Sequence, residues 1–166
     1  MFRKYLLPNL LFGDIYQITP DTIRKLGARA IIADIDNTLV TYDDPEPTEA
    51  VLRWLDSMQK NGIAVAFVSN NTRERVERFN SGLGLFASYD SGKPSTKAYR
   101  RASNALGVQP FECVAVGDQL FTDVLAAKRL GMKAVIVKPI KDKLTLLFKI
   151  KRAGERLLYR IYGIKY

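Results

Sequence analysis

Histidine is absent from all 166 residues, and cysteine occurs once. Without histidine there is no Ser-His-Asp or Cys-His catalysis, and the commonest zinc ligand is missing. Acid–base chemistry near neutral pH then falls to carboxylates, lysine or a metal-bound water. A lone cysteine, Cys113, excludes an internal disulfide and suits a reducing compartment. It opens the apolar run CVAVG, which reads as a packed core thiol rather than a nucleophile. No apolar stretch approaches the length that crosses a bilayer. The opening MFRKYLLPNLLF is short, interrupted by Pro8 and without a small-residue cleavage pattern, so it is expected to belong to the mature protein and not to a signal peptide.

Acidic residues are also in short supply, and unevenly so. The chain has 26 Lys/Arg against 17 Asp/Glu, a net charge of +9. From Lys138 onward nine Lys/Arg face two acids, Asp142 and Glu155, so +7 of the charge sits there and +2 in everything before it. That segment is where an anionic partner would dock. With 47% hydrophobic and 26% charged residues, the chain reads as globular and not disordered. Its length suits one well-buried domain.

What is present is an alternation of strand-like and helix-like segments. Residues 30–36 are an apolar run ending in acids, expected to be a buried strand. After an acidic, proline-containing loop at 42–47, residues 48–60 have helical spacing through Val51, Leu52, Leu55 and Met58, closed by Asn61-Gly62. Residues 63–68 form a second strand ending in Ser69-Asn70-Asn71. A charged helix over 72–79 turns Val76 and Phe79 inward. A short strand near 85–89 and a helix over 95–106 follow, then a strand at 114–116 that stops at Gly117-Asp118. A helix over 122–130 and a strand at 134–137 complete the series. Apolar strands without clean alternation, separated by helices, predict a three-layer, doubly wound α/β fold around a mainly parallel sheet. A single domain is expected, with its core over residues 20–140 and a basic amphipathic helix over 141–166. Asp34, Ser69 and Asp118 all fall at strand C-terminal ends, the edge where such sheets bind ligands.

Four separated signals line up along the chain, all but the lysine at that edge: Asp34-Ile35-Asp36-Asn37-Thr38 after an apolar strand; Ser69 after VAFV; Lys93 in Gly92-Lys93-Pro94-Ser95; and Gly117-Asp118 with Asp123 five residues later. Singly, each has a plain structural explanation: a turn, a helix cap, a solvated lysine. Caps do not explain why all four stand in this order. The set, from Ile31 to Asp123, resembles the haloacid dehalogenase superfamily, whose motifs are hhhDxDxT, hhhS/T, a lysine, and hhhGD with a later acid, where h is apolar.

The resemblance implies phosphoryl transfer. Asp34 would be the nucleophile, forming an aspartyl-phosphate, and Asp36 the acid and base for the leaving oxygen and the incoming water. Lys93 would neutralise charge on the transferring group. Ser69, with Asn70 and Thr38, makes up the substrate-binding set, Thr38 also locking its loop through the hydroxyl. Mg²⁺ would be held by the Asp34 carboxylate, the Asp36 backbone carbonyl and Asp118, with Asp123 in support of Lys93 or of the metal's waters. Asn71, Arg73 and Lys97 lie near in sequence without assigned chemistry.

Between Asp36 and Ser69 lie 32 residues, and between Ser69 and Lys93 lie 23. One helix with its flanking strand or loop uses up each interval, so no folded cap fits and the site is expected to be open. In the basic tail, Leu146, Ile150, Ala153, Leu157, Ile161 and Ile164 follow steps of three and four, widened by Leu147, Leu158 and Tyr162. Lys149, Lys151, Arg152, Arg156 and Arg160 fill much of the rest. Such a helix either packs its stripe on the sheet or lies in an anionic membrane interface. Phe2, Leu6, Leu7, Leu11 and Phe12 could add to the same lipid-facing surface.

Within the superfamily the chain resembles the class IIIA, YqeG-type phosphatases, related to phosphatidylglycerophosphate phosphatases. The carrying stretches are LLPNLLFGDIYQITPDTIRKLGARAIIADIDNTLV, VSNN, GKPSTKAYRRA and VGDQLFTDV. This implies Mg²⁺-dependent conversion of phosphatidylglycerophosphate to phosphatidylglycerol by a cytoplasmic enzyme, peripheral on the inner face of the membrane. A soluble sugar phosphate, nucleotide or polynucleotide end is the rival substrate, and a non-catalytic phosphate- or RNA-binding module the rival class. The continuous stripe argues against nucleic acid, which calls for aromatics among basics. Oligomeric state stays open.

Overall fold

The apolar runs become strands, and where each ends decides where the acids meet. The computed structural model describes residues 3–141 and 146–161, with side chains described for 4–141 and 153–161. Of the residues named for the tail and the amino terminus, Phe2, Tyr162 and Ile164 lie outside the described residues, as do the side chains of Leu146, Leu147, Lys149, Ile150, Lys151 and Arg152.

Among the described residues six strands form one sheet: β1 (Leu10–Phe12), β2 (Ala30–Ala33), β3 (Ala64–Val68), β4 (Ala87–Ser88), β5 (Cys113–Gly117) and β6 (Lys133–Val137). Their order is β1-β6-β5-β2-β3-β4, and every pair is parallel. This is the predicted doubly wound α/β architecture. From β2 the chain walks to one edge through β3 and β4, then returns to the other side of β2 for β5 and β6. The reversal opens a crevice between β2 and β5 at their carboxyl ends.

Successive side chains of a strand leave opposite faces. Ile31 and Ala33 therefore join one core cluster and Ala30 and Ile32 the other. The first face carries large residues, among them Phe67, Val114 and Val116, and is covered by α3 (Glu49–Lys60) and α4 (Arg73–Asn80) through Trp54, Leu55, Met58, Val76 and Phe79. The second carries small ones, Ala66, Cys113, Ala115 and Ala134, and faces α5 (Lys97–Ala105) and α6 (Leu125–Arg129). Small residues on both partners let these helices sit close to the sheet. The Cys113 thiol is buried and pushed up to about 12, chiefly by that burial, as an inert core thiol should be.

Local chemistry sets the helix ends. Thr48 and Thr72 accept from the N–H groups of Val51 and Arg75, capping α3 and α4. Gly62, at φ +74°, ends α3 where only a residue without Cβ is comfortable. The indole of Trp54 donates to the Ile18 carbonyl at 2.9 Å. That bond ties α3 to the turn ahead of α2 (Pro20–Lys25).

Three expectations change. The amino-terminal residues Leu11 and Phe12 do not join a lipid-facing surface. They lie in β1, paired with Ile136 and Val137 and packed against the two core clusters, so the sheet begins well before residue 20, after the short helix α1 (Arg3–Leu6). The helix predicted over 122–130 opens as a π-helical turn, Leu120–Val124, before α6. The tail helix, α7 (Leu146–Ile161), packs on the body through Leu158, at the margin of the predicted stripe, and not through the stripe's centre line. Glu155, Leu158 and Tyr159 face inward, while Leu157 and Ile161 are 58% and 62% exposed.

Candidate active site

The site forms where β2, β3 and β5 end. Asp34 follows the last residue of β2, and its N–H still bonds to the Val116 carbonyl of β5 at 2.9 Å. The carboxylate is thus fixed beside the end of the neighbouring strand. Its Oδ1 accepts from its own neighbour, the Ile35 N–H, at 2.8 Å and lies 2.9 Å from the Lys93 ammonium. Beyond it the chain turns sharply. Asn37 takes a positive φ of 64°, which Asn tolerates better than most residues, and Asp36 bridges to Val40 to close a small flap.

Lys93 lies on the loop after β4 and is 7% exposed. Its ammonium spans Asp34 and Asp123, 2.7 Å from the latter. Burial works against its charge, but Asp123 and Asp34 outweigh it and hold the ammonium well above its ordinary value. Asp123 is the hub of this knot. Oδ1 also accepts from the Tyr99 hydroxyl at 3.2 Å, and Oδ2 accepts from the Gln119 N–H at 3.2 Å and the Thr122 hydroxyl at 3.3 Å. Tyr99, buried and next to that acid, is pushed well above its ordinary value and stays a donor. Gly117 makes room: a Cβ there would collide with the Asp123 side chain. The π-helical turn brings Asp118 and Asp123 to the same point, and carboxylate oxygens of Asp34, Asp118 and Asp123 lie within 4.8 Å of one another.

All-oxygen donors at that spacing fit a hard divalent cation such as Mg²⁺. Electrostatics point the same way. Burial, offset in part by Lys93 and reinforced by Asp123 and Asp118, pushes the Asp34 carboxyl up to about 8. A cation held by Asp34 and Asp118 would favour the ionised Asp34 carboxylate. Asp36 can add only its backbone carbonyl to that set, because its carboxylate is turned to other partners: Arg75 at 2.9 Å on Oδ1 and the Asn71 amide at 2.9 Å on Oδ2.

The cavity is small, about 190 Å³, and is lined by Asp34, Asp36, Ser69, Asn70, Asn71 and Lys93 with Tyr42, Gln119 and Thr122. Ser69 is buried, and its Oγ accepts from the Asn71 N–H at 3.0 Å, which leaves its proton to be donated into the cavity. Asn70 acts on the protein as well as facing the cavity. Its Oδ1 accepts from the Lys93 N–H at 2.8 Å and its amide donates to the Lys93 carbonyl at 3.4 Å, so it clamps the lysine's backbone. Thr38 departs from expectation. Its hydroxyl has no hydrogen-bond partner, so it does not lock the loop. It lines a neighbouring cavity of about 390 Å³ and not the acidic one, because the flap turns it away from Asp36.

Sequence reasoning missed Arg75. It sits in RERVERF, where arginines on a charged helix ordinarily face water. Here its guanidinium also donates to the Pro45 carbonyl at 3.1 Å and the Thr41 carbonyl at 3.4 Å, tying Asp36 to the 41–45 loop. The usable signal was its place one residue before Val76, which α4 buries. Tyr99 was equally unmarked, and Asn71 was placed near the site without assigned chemistry.

A haloacid dehalogenase-like hydrolase family profile matches residues 5–131. Over 156 residues the chain is 36% identical to the probable phosphatase YqeG of Bacillus subtilis, covering 94% of this chain and 91% of that protein. It is 31% identical over 128 residues to a glyceraldehyde 3-phosphate phosphatase of Methanopyrus kandleri, covering 74% of this chain and 55% of that protein. Among solved structures, an uncharacterized protein of Corynebacterium glutamicum superposes with a TM-score of 0.55 at 20% identity, covering 84% of this chain and 98% of that one, which speaks to the fold alone.

Proposed function

Because the chain belongs to the haloacid dehalogenase-like hydrolases, we propose that it is a Mg²⁺-dependent phosphomonoesterase acting on the terminal phosphate of phosphatidylglycerophosphate. The observation that carries the phosphatase reading is the buried Asp34–Lys93–Asp123 knot, whose Asp34 and Lys93 line a small polar cavity of about 190 Å³.

Asp34 attacks phosphorus in line, forming an acyl phosphate as the ester P–O bond breaks. Asp36 gives its proton to the departing alkoxide, then takes one from the water that cleaves the aspartyl-phosphate, restoring both carboxyls. Arg75 on Oδ1 holds Asp36 in place through this exchange, while Oδ2 trades its bond from the Asn71 amide for the proton it passes. Lys93 and the Ser69 hydroxyl meet the phosphoryl oxygens, where charge gathers in the transition state. Asp34 and Asp118, with the Asp36 carbonyl, would hold Mg²⁺, which when bound supplies further charge neutralisation.

An anionic phospholipid is supported by the absence of a cap among the described residues and by the basic tail: an open site can meet a head group still embedded in its bilayer. A soluble phosphate ester is the second reading, favoured by the small size of the cavity, about 190 Å³. Phosphate release with Mg²⁺ decides between them, comparing phosphatidylglycerophosphate in mixed micelles with sugar phosphates, nucleotides and p-nitrophenyl phosphate. Preference for the lipid is the expected result; release from soluble esters alone rejects it. Asp34→Asn is expected to lose more than about a thousandfold in turnover on every ester, and an undiminished rate removes Asp34 as nucleophile.

A further inference from the structure

The helix α7 has two unlike sides. On the inner side Glu155 is 2% exposed, and its Oε1 accepts from the Leu120 N–H at 2.7 Å. Next to it, a Cβ on Gly154 would stand 3.3 Å from the Phe121 ring, so the helix approaches the π-helical turn closely. Leu158 and Tyr159 complete that contact against the core. On the outer side Ala153, Leu157 and Ile161 are exposed at steps of four, one apolar line along the helix. Arg156 and Arg160, both exposed, precede Leu157 and Ile161 and flank that line.

A helix that packs on its own domain ordinarily spends its apolar stripe on the core. Here the core side is already filled by Glu155, Leu158 and Tyr159, and the stripe is turned away from it. Its occupant must accept apolar side chains with arginines along one edge. A second copy of this helix side offers apolar residues and arginines but no acid to meet them, and nucleic acid offers phosphate but no apolar layer. The boundary between head groups and acyl chains of an anionic bilayer supplies both.

We propose that the outer side of α7, Ala153-Leu157-Ile161 with Arg156 and Arg160, is the surface by which this protein docks on an anionic lipid bilayer. The choice of lipid over other anionic partners rests on the phospholipid reading of the function. Glu155 gives the docking a consequence for the site. It fixes the docked helix to Leu120, two residues from Asp118, so the element in the lipid and the loop at the cavity move as one.

The test is sedimentation of the full chain with phosphatidylglycerol vesicles and, separately, phosphatidylcholine vesicles. Wild type is expected to pellet with the former, less so at high salt, and to stay behind with the latter. The double variant Leu157→Gln/Ile161→Gln is expected to bind at least about tenfold more weakly, and Arg156→Gln/Arg160→Gln to lose the preference for the anionic vesicles. Both should hydrolyse p-nitrophenyl phosphate in solution at the wild-type rate, which shows that they fold. Wild type that ignores phosphatidylglycerol vesicles while hydrolysing the soluble ester overturns the docking surface and leaves the hydrolase intact. So does a wild-type dimer by light scattering that Leu157→Gln/Ile161→Gln splits without any change in vesicle binding, since the stripe then joins copies. Vesicle binding without phosphate release from the lipid supports the docking surface and rejects the substrate.

Discussion

Asp34 and Asp36 are two residues apart on one loop, yet they are held in different ways. Asp34 faces the inside of the fold. Its cation, Lys93, is buried, and behind Lys93 stand Asp123, Tyr99 and the π-helical turn, all anchored in the layer that covers the small-residue face of the sheet. Asp36 faces the rim. Its cation, Arg75, comes from the helix on the opposite face and reaches out to carbonyls of the 41–45 loop. The proposed nucleophile is thus fixed by packed elements, and the proposed proton carrier is fixed by a loop. The difference suits their tasks: an in-line nucleophile tolerates little misplacement, while a proton donor has to follow leaving groups of varying shape.

The sharpest way to break this contrast is Lys93→Met. It leaves buried carboxylates uncompensated, at a cost of about 3–5 kcal/mol in stability without metal. It also removes the proposed donor to the phosphoryl oxygens, so turnover on p-nitrophenyl phosphate should fall by roughly a hundred- to a thousandfold. Urea melts and steady-state rates measure the two losses; Lys93→Met with wild-type stability would show that the inner knot is not a structural element. Arg75→Met should act on the rim alone. Turnover is expected to drop roughly ten- to a hundredfold, with stability changed far less than by Lys93→Met. The loss should be greatest for esters of poor leaving groups, which most need a proton. Equal loss across aryl and alkyl phosphates would contradict the role given to Asp36.

The smallest effect is a dependence on pH. Folded Asp34 keeps its proton up to about 8, whereas its ordinary value is 3.8. Across that window the folded state binds more protons than the unfolded chain. Stability without metal is therefore full at the acid end and declines as pH rises. Mg²⁺ competes with the same proton, so the rise in Tm on adding Mg²⁺ should grow from about pH 5 to about pH 8. A Tm increment that shrinks over that range would place the cation away from Asp34.

How much of this could be read in the sequence varies with the kind of information involved. The strands β2, β3, β5 and β6 are runs of Ile, Val, Ala and Phe that stop at polar residues, a signal local enough to survive without tertiary context. The meeting of Asp34 and Asp118 followed from their common edge, while Lys93, on a loop, was placed there only by the resemblance. The strand β1 was not legible, because three residues between Asn9 and Gly13 become a strand only through pairing with β6. Arg75 was hidden for a related reason: nothing in an exposed-looking RERVERF says that one guanidinium will cross to a carboxylate 39 positions earlier. Thr38 shows the reverse error, a motif position whose hydroxyl the fold leaves without a partner. In α7 the spacing revealed the apolar stripe but not its direction. That was decided by Glu155, the acid among the basics, which went inside to reach a backbone N–H.

The chain's only tryptophan has a practical consequence. Trp54 is sealed between α3 and the Ile18 carbonyl, so its fluorescence should be blue in the native state and shift to the red when α3 leaves the sheet. An untagged, unlabelled sample therefore carries its own optical gauge of unfolding. Since the indole lies on the α3 side of the sheet and does not line the acidic cavity, titrations with cation or ester can be followed without the ligand touching the chromophore.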